Sequence, residues 1–217
     1  MIQLENLSKS FWVRGERRVI FDGLNATIPT GASIALLGRN GAGKTTLLSI
    51  IAGAIPADHG RIVSDGTISW PVGLGGTFHP QMTGAQNTRF VARVYGVDSD
   101  ALSHFVQDFS ELGEQFFNPV KTYSSGMTAR LGFGLSMGIK FDTYLIDETT
   151  SVGDARFFKK SRAVFIDRVQ NASAIMVSHQ MNTVRQFCNS GIVLHEGMLY
   201  PFADLEEAIA LHQKLNG

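Results

Sequence analysis

Gly38-Arg39-Asn40-Gly41-Ala42-Gly43-Lys44-Thr45 is the stretch from which the rest of this chain is read. It fits G-x-x-x-x-G-K-[ST] at every fixed position, the pattern of a backbone loop that wraps phosphate. The glycines serve the main chain, whose N–H groups must point inward around an anion in dihedrals that a side chain hinders. Just upstream, Ser33 to Leu37 is a short continuous apolar run, as expected of a strand buried on both faces. Just downstream, Lys44 to Ala52 reads as a helix, whose N-terminal partial positive charge favours the same anion. The nucleotide-binding candidates here are Gly38, Arg39, Asn40, Gly41, Ala42, Gly43, Lys44, Thr45 and Thr46. Lys44 would reach the β- and γ-phosphates of a nucleoside triphosphate, and the Thr45 hydroxyl would hold Mg²⁺.

Working outward, Ile2 to Leu7 and Leu24 to Ile28 read as strands of an N-terminal antiparallel layer joined through a polar hairpin. In the middle third, Gly73, Gly75 and Gly76 form a glycine-rich loop. Thr83-x-x-Gln86 is a capping box opening a helix that runs to about Tyr95 and stops at Gly96. Asp98 or Ser99 caps a further helix predicted to end near Gly113. These helices suggest an inserted helical subdomain over roughly residues 72–139. The last third alternates: strand Tyr144–Ile146, helix Ala155–Gln170, strand Ile175–Val177, helix Asn182–Cys188 and strand Ile192–Leu194. Phe158, Phe165, Ile166 and Val169 share one face of the long helix and are expected to pack in a core. The expected fold is therefore α/β, with a mostly parallel core sheet.

Composition narrows the function. Lys+Arg and Asp+Glu balance at 19 each over 217 residues, so no broad basic field is available to neutralise nucleic-acid phosphates. The small cluster Arg14, Arg17 and Arg18, interrupted by Glu16, reads as a solvated hairpin tip. A single cysteine, Cys188, leaves no internal disulfide and suits a reducing compartment. Met1 to Leu7 alternates like a strand and is not expected to be a leader. The longest apolar stretch, Leu47 to Ile55, holds Ser49 and Gly53 and falls far short of the ~20 residues that span a bilayer. Work at a membrane would need a membrane-spanning partner.

Two further motifs carry chemistry. Tyr144-Leu145-Ile146-Asp147-Glu148 is an apolar strand ending in adjacent carboxylates. Asp147 suits Mg²⁺ coordination, direct or through water, and Glu148 would face the γ-phosphate and polarise an attacking water. Tyr123-Ser124-Ser125-Gly126-Met127, followed by Arg130, resembles the L-S-G-G-Q-x-Q-R signature of ABC ATPases, matching at Ser124, Gly126 and Arg130. It lies between the phosphate loop and the Asp147-Glu148 strand, the order that family requires.

The resemblance covers essentially the whole chain and implies a P-loop ABC ATPase fold, with ATP and Mg²⁺ as cofactors. It implies that Ser124 and Gly126 contact phosphate in a site shared between two subunits of a homodimer. It also implies that Asp154, in Ser151-Val152-Gly153-Asp154, takes the aspartate place of the S-A-L-D loop. His179 stands where the family has its γ-phosphate histidine, which with Lys44 and Glu148 completes the catalytic candidates. Phe11 stands where an aromatic ring stacks on adenine, with Trp12 as a neighbouring substitute. One departure is visible: Gly73 and Leu74 occupy the place of the family's glutamine loop, and Gln81 comes several residues late.

Within the family, Ile68-Ser69-Trp70-Pro71, Thr83-Gly84 and Asp147-Glu148-Thr149-Thr150-Ser151-Val152-Gly153-Asp154 resemble the capsular polysaccharide export ATPases of Gram-negative bacteria. O-antigen and teichoic-acid export ATPases share this loop style, and a DNA-acting ABC ATPase is the remaining alternative. The capsule resemblance implies an ABC-2 type integral membrane permease as partner, with periplasmic and outer-membrane polysaccharide export proteins beyond it. The place of work would be the cytoplasmic face of the inner membrane, with no nucleic-acid partner.

Overall fold

A computed structural model describes residues 1–72, 78–147 and 155–216, without the side chains of Ala155, Arg156, Phe158 and Lys159. Gly73, Leu74, Gly75, Gly76, Glu148 and the Ser151–Asp154 loop therefore lie outside the described residues. The chain divides into two units, one of Met1–Pro71, Phe141–Glu148 and Val169–Gly217, the other of Val72–Lys140 and Thr149–Arg168.

The first unit begins with Ile2–Val13 (β1) and Glu16–Ile28 (β2), which pair antiparallel from Ile2↔Ile28 out to Val13↔Glu16. Both strands run well past the apolar cores predicted for them. Residues 8–13 and 16–23 pair through backbone hydrogen bonds, which do not depend on the apolar patterning used to find strands. His59–Ser64 (β4), not foreseen, adds to the other side of β1, giving the order β2-β1-β4. Asp58 fixes this edge: its carboxylate accepts from the Lys9 ammonium at 2.9 Å and from the Ser10 N–H at 2.7 Å. The hydrogen bond from Lys9, then those from Ser10, hold the Asp58 carboxyl down at about 2.

Ser33–Leu37 (β3) lies inside the second sheet, whose other strands are Ile68–Pro71 (β5), Thr143–Asp147 (β6), Ser173–Val177 (β7), Ser190–His195 (β8) and Met198–Phe202 (β9). The order is β5-β6-β7-β3-β8-β9, all neighbours parallel except β9, which returns antiparallel on β8. Lys44–Ile51 (α1) follows β3 and buries Lys44, Leu47, Leu48 and Ile51, the spacing of one helical face. Its leucines join a core with Leu7, Phe21, Leu145 and Leu194.

The second unit is helical where the sequence expected it, with adjusted ends. Gly84–Val94 (α2) begins at the Thr83/Gln86 capping box, each side chain bonding the other residue's N–H at 3.1 and 2.9 Å. Ser99–Ser110 (α3) is capped by Asp98, not Ser99, and ends three residues before Gly113. Glu111 takes a left-handed conformation there, and Gly113–Phe117 forms a 3₁₀ turn. Ser125–Gly138 (α4) packs closely on α3, because a Cβ at Gly138 would stand 2.5 Å from Leu102 Cδ1. The core is aromatic: Phe109 stacks on Phe133 at 6.0 Å and meets Phe157 edge-on at 5.6 Å. Phe157, from Ala155–Gln170 (α5), is thus a core ring that the predicted helix face omitted.

Back in the first unit, Met181–Phe187 (α6) and Leu205–Asn216 (α7) complete the chain. Asp204 accepts from the N–H groups of Glu206 and Glu207 at the start of α7, and Arg185 of α6 forms a two-pronged ion pair with Glu206 at 2.7 and 2.8 Å. The helix rests on β8 through two small residues, since a Cβ on Gly191 would lie 2.5 Å from the Ala208 Cβ. Gly191→Val should therefore destabilise the protein by ~1–3 kcal/mol, the usual cost of overpacking. Urea titration should show a lower midpoint with an unchanged slope.

Candidate nucleotide site

Left-handed or near-left-handed backbone shapes the turn after β3: Gly38, Gly41 and Gly43 have φ of 152°, 78° and 104°. Two of these glycines are also sterically required. A Cβ at Gly38 would run into the Leu194 carbonyl oxygen, and one at Gly43 into the Ile20 side chain. The loop is therefore wedged between β8 and β2. Lys44 is 8% exposed, and its ammonium donates to the Gly38 and Arg39 carbonyls at 2.7 and 3.0 Å. That holds the cation at the loop it would share with a nucleotide. Thr45, the next residue round the helix, is exposed.

β3, β6 and β7 contribute at their C-terminal ends, where open α/β sheets bind ligands. Asp147 ends β6, and His179 stands two residues beyond the end of β7. A cavity of about 310 Å³ collects Phe11, Arg18, Lys44, Thr45, Asp147 and His179, with Asn40, Gly41, Gly43 and Thr46 also on its wall. Gly38 and Arg39 border an adjoining cavity. Ala42 lines a third, beside the β8–β9 turn.

Strand alternation separates Phe11 from Trp12. Phe11 pairs with Arg18 across the hairpin and Trp12 with Arg17, so the two aromatics point to opposite faces. Phe11 lines the cavity and is 38% exposed; Trp12 does not line it and is 75% exposed. The Lys9 ammonium lies 5.3 Å from the Phe11 ring centre, which steadies that ring. Arg14, Arg17 and Arg18 are exposed at the hairpin end, as the reading of a solvated tip expects, and Arg18 also lines the cavity, together with Ile20. Only the hairpin register reveals this, because it sets Arg18 directly opposite Phe11.

Ser124 is the N-cap of α4, its hydroxyl accepting from the Met127 N–H at 3.2 Å, and a Cβ at Gly126 would meet only the Ser124 Oγ, at 3.9 Å. Both belong to the helical unit. Arg130 lies over the Phe157 ring, 4.8 Å from its centre. Gln81 is exposed in the segment before α2. There the buried Asn87, not singled out from sequence, bonds His79 and Thr83. Glu148 and Asp154 lie outside the described residues.

The site's donors fit a nucleotide with Mg²⁺. Backbone N–H groups and an ammonium suit phosphate, while the Thr45 hydroxyl and Asp147 carboxylate are hard oxygen donors of the kind Mg²⁺ takes, with water and substrate phosphates supplying its other ligands. Among the described residues no group of three or more His, Cys, Asp or Glu could hold a metal alone.

Fold and site together define a P-loop nucleotide-binding protein. The family described as "ABC transporter" matches residues 21–151, more than half of the chain, and this chain belongs to that family. It is 48% identical over 218 residues to the polysialic acid transport ATP-binding protein KpsT of Escherichia coli, covering 99% of each. It is 41% identical over 215 residues to the capsule polysaccharide export ATP-binding protein CtrD of Neisseria meningitidis serogroup B, covering 99% of this chain and 100% of that one. Its fold matches that of the ATP-binding cassette MJ0796, solved as a dimer in a post-hydrolysis state bound to ADP and Pi. The TM-score is 0.74 over 94% of this chain and 99% of that one, at 19% identity.

Removing a ring that stacks on adenine costs a measurable share of affinity. Phe11→Ala should weaken ATP binding about tenfold, within the ~1–3 kcal/mol typical of base stacking. Trp12→Ala, on the other face, should change it less than twofold. Titration calorimetry on both variants checks the assignment, and reversed effects would move the stacking role to Trp12.

Proposed function

We propose that this protein is the ATP-binding, ATP-hydrolysing subunit of an ABC-2 type exporter that drives capsular polysaccharide across the inner membrane. The observation that carries this reading is identity of 41–48% along 99% of the chain to proteins named for polysialic acid transport and capsule polysaccharide export. The cavity holding Lys44, Thr45, Asp147 and His179 supports the ATPase part independently.

In this reading Phe11 receives the adenine, and the N–H groups of residues 38–46 take the phosphates. Mg²⁺, held by Thr45 and Asp147, would neutralise charge on the β- and γ-phosphates. Lys44 adds a second positive charge against the transferring phosphoryl group. Glu148 accepts a proton from the attacking water, and His179 orients the γ-phosphate.

Ser124 and Gly126 would close the site from a second copy of the chain, with Asp154 at the same junction. The working form is then a homodimer, the state in which the cassette MJ0796 was solved. Among the described residues no helix is long and apolar enough to cross a membrane. A separate permease would supply the path, with this subunit on its cytoplasmic face and periplasmic and outer-membrane export proteins beyond.

Glu148→Gln keeps the shape of the carboxylate without its basicity. ATP should bind nearly normally while hydrolysis falls by ~10²–10⁴-fold, and trapped ATP should shift the protein towards a dimer in size-exclusion chromatography. Unchanged turnover would remove Glu148 from the mechanism. Mixing Lys44→Ala and Ser124→Arg subunits tests the shared site, because each mixed dimer should regain one intact site. No recovery of ATP affinity above either variant alone would exclude it.

The cargo is tested in the source cell. Lys44→Ala should abolish surface capsule and leave polymer accumulating inside, because nothing in the chain resembles a polymer-synthesising site. Normal surface display in that strain would rule out polysaccharide export, and selective retention of O-antigen would reassign the cargo.

A further inference from the structure

The last helix of the chain reaches the phosphate loop. Turn by turn, α7 sets Leu205, Ala208 and Ile209 against the sheet and brings His212 and Asn216 to the edge of the nucleotide site. There they line a second cavity, of about 360 Å³, with Gly38, Arg39, Asn40 and His179. Asn40 and His179 are on the walls of both cavities, so the second adjoins the first on the side of the γ-phosphate histidine. Three features suit it to an anion: among the described residues no carboxylate lines it, Arg39 supplies positive charge, and two imidazoles and two amides supply donors.

We propose that His212 and Asn216, presented by α7, form with His179 and Arg39 a transient site for the inorganic phosphate that leaves after ATP hydrolysis. The proposal rests on the ATPase reading for the source of the phosphate. The chemistry matches the product. Inorganic phosphate near neutral pH carries both P–O⁻ acceptors and a P–OH donor, and a neutral imidazole offers one of each. Burial first, then the nearby charges of Lys44 and His179, holds the His212 imidazole below the usual histidine range, so it stays neutral there. A neutral partner can pass phosphate on without holding it as an ion pair would. The amide of Asn216 donates to the His212 carbonyl at 2.8 Å and lies 3.0 and 3.1 Å from the two ring nitrogens, which fixes the ring at the cavity wall. Small-residue packing at Gly191 and Ala208, and the Arg185–Glu206 ion pair, hold the helix that carries both.

The test titrates inorganic phosphate into the full-length protein saturated with ADP, by calorimetry, beside ATP and ADP affinities and steady-state hydrolysis. His212→Ala should weaken phosphate about tenfold, the loss of one hydrogen bond to an anion, with ADP and ATP affinities changing less than twofold. His212→Gln, which keeps a donor, should restore most of the affinity. Asn216→Asp, at an exposed position that tolerates folding if His212→Ala does not, should weaken phosphate through like-charge repulsion. Hydrolysis by the wild-type protein together with phosphate binding indifferent to all three changes overturns this inference alone. So does a loss of ATP affinity as large as the loss for phosphate, which would assign His212 to the bound γ-phosphate. Absence of hydrolysis in the wild-type protein overturns the ATPase reading, and the phosphate-release role with it.

Discussion

A peptide backbone can present several N–H groups to one anion only where side chains stay out of the concavity and the chain turns through dihedrals that L-residues avoid. Residues 38–44 meet that constraint with glycines at φ of 152°, 78° and 104°. Such a loop is entropically costly to hold, so its neighbours must clamp it. β3 enters it from between two parallel strands, α1 leaves it with Leu47 and Leu48 in the core, and Leu194 and Ile20 press on two of its glycines. The remaining features of the first unit serve to keep that loop in place or to bring a second group to it.

The parallel order β6-β7-β3-β8 explains why the chemistry collects where it does. Parallel strands end at one edge, so Asp147 and His179 arrive together at the loop after Leu37, although more than a hundred residues separate that loop from either. Hydrogen bonds between β6 and β7 run to Asp147↔Val177, which ties the positions of the carboxylate and histidine to each other. The antiparallel sheet completes the wall from outside by carrying Phe11 and Arg18 on one face of a hairpin.

The helical unit is built on different terms. An aromatic cluster of Phe105, Phe109, Phe133, Phe157 and Phe165 fills its interior. Ser124 ends the approach to α4 as an N-cap that takes up the Met127 N–H, with the N–H groups of Ser125 and Gly126 beside it at a positive helix end. Those are the attributes by which the Ser124–Gly126 turn would meet a phosphate, and they exist whether or not a nucleotide is near.

Sequence by itself determined what local chemistry dictates. The phosphate loop, the buried strand before it, the capping box at Thr83 and Gln86 and the carboxylate at Asp147 are legible because each is set by neighbours within a few residues. Family resemblance added His179 and Phe11, whose meaning lies in what they face. Tertiary structure alone decided the rest. β4 is a short, mostly exposed strand with no apolar run to announce it, and β9 carries Pro201 in its middle, a residue that argues against a strand; both exist because a partner strand supplies their hydrogen bonds. Phe11 differs from Trp12, and Arg18 from Arg17, only through hairpin register, which a one-residue slip would invert. His212 reads as one more residue of a polar C-terminal helix. It comes to the phosphate loop because Gly191, far from both in sequence, lacks the carbon that would hold α7 away.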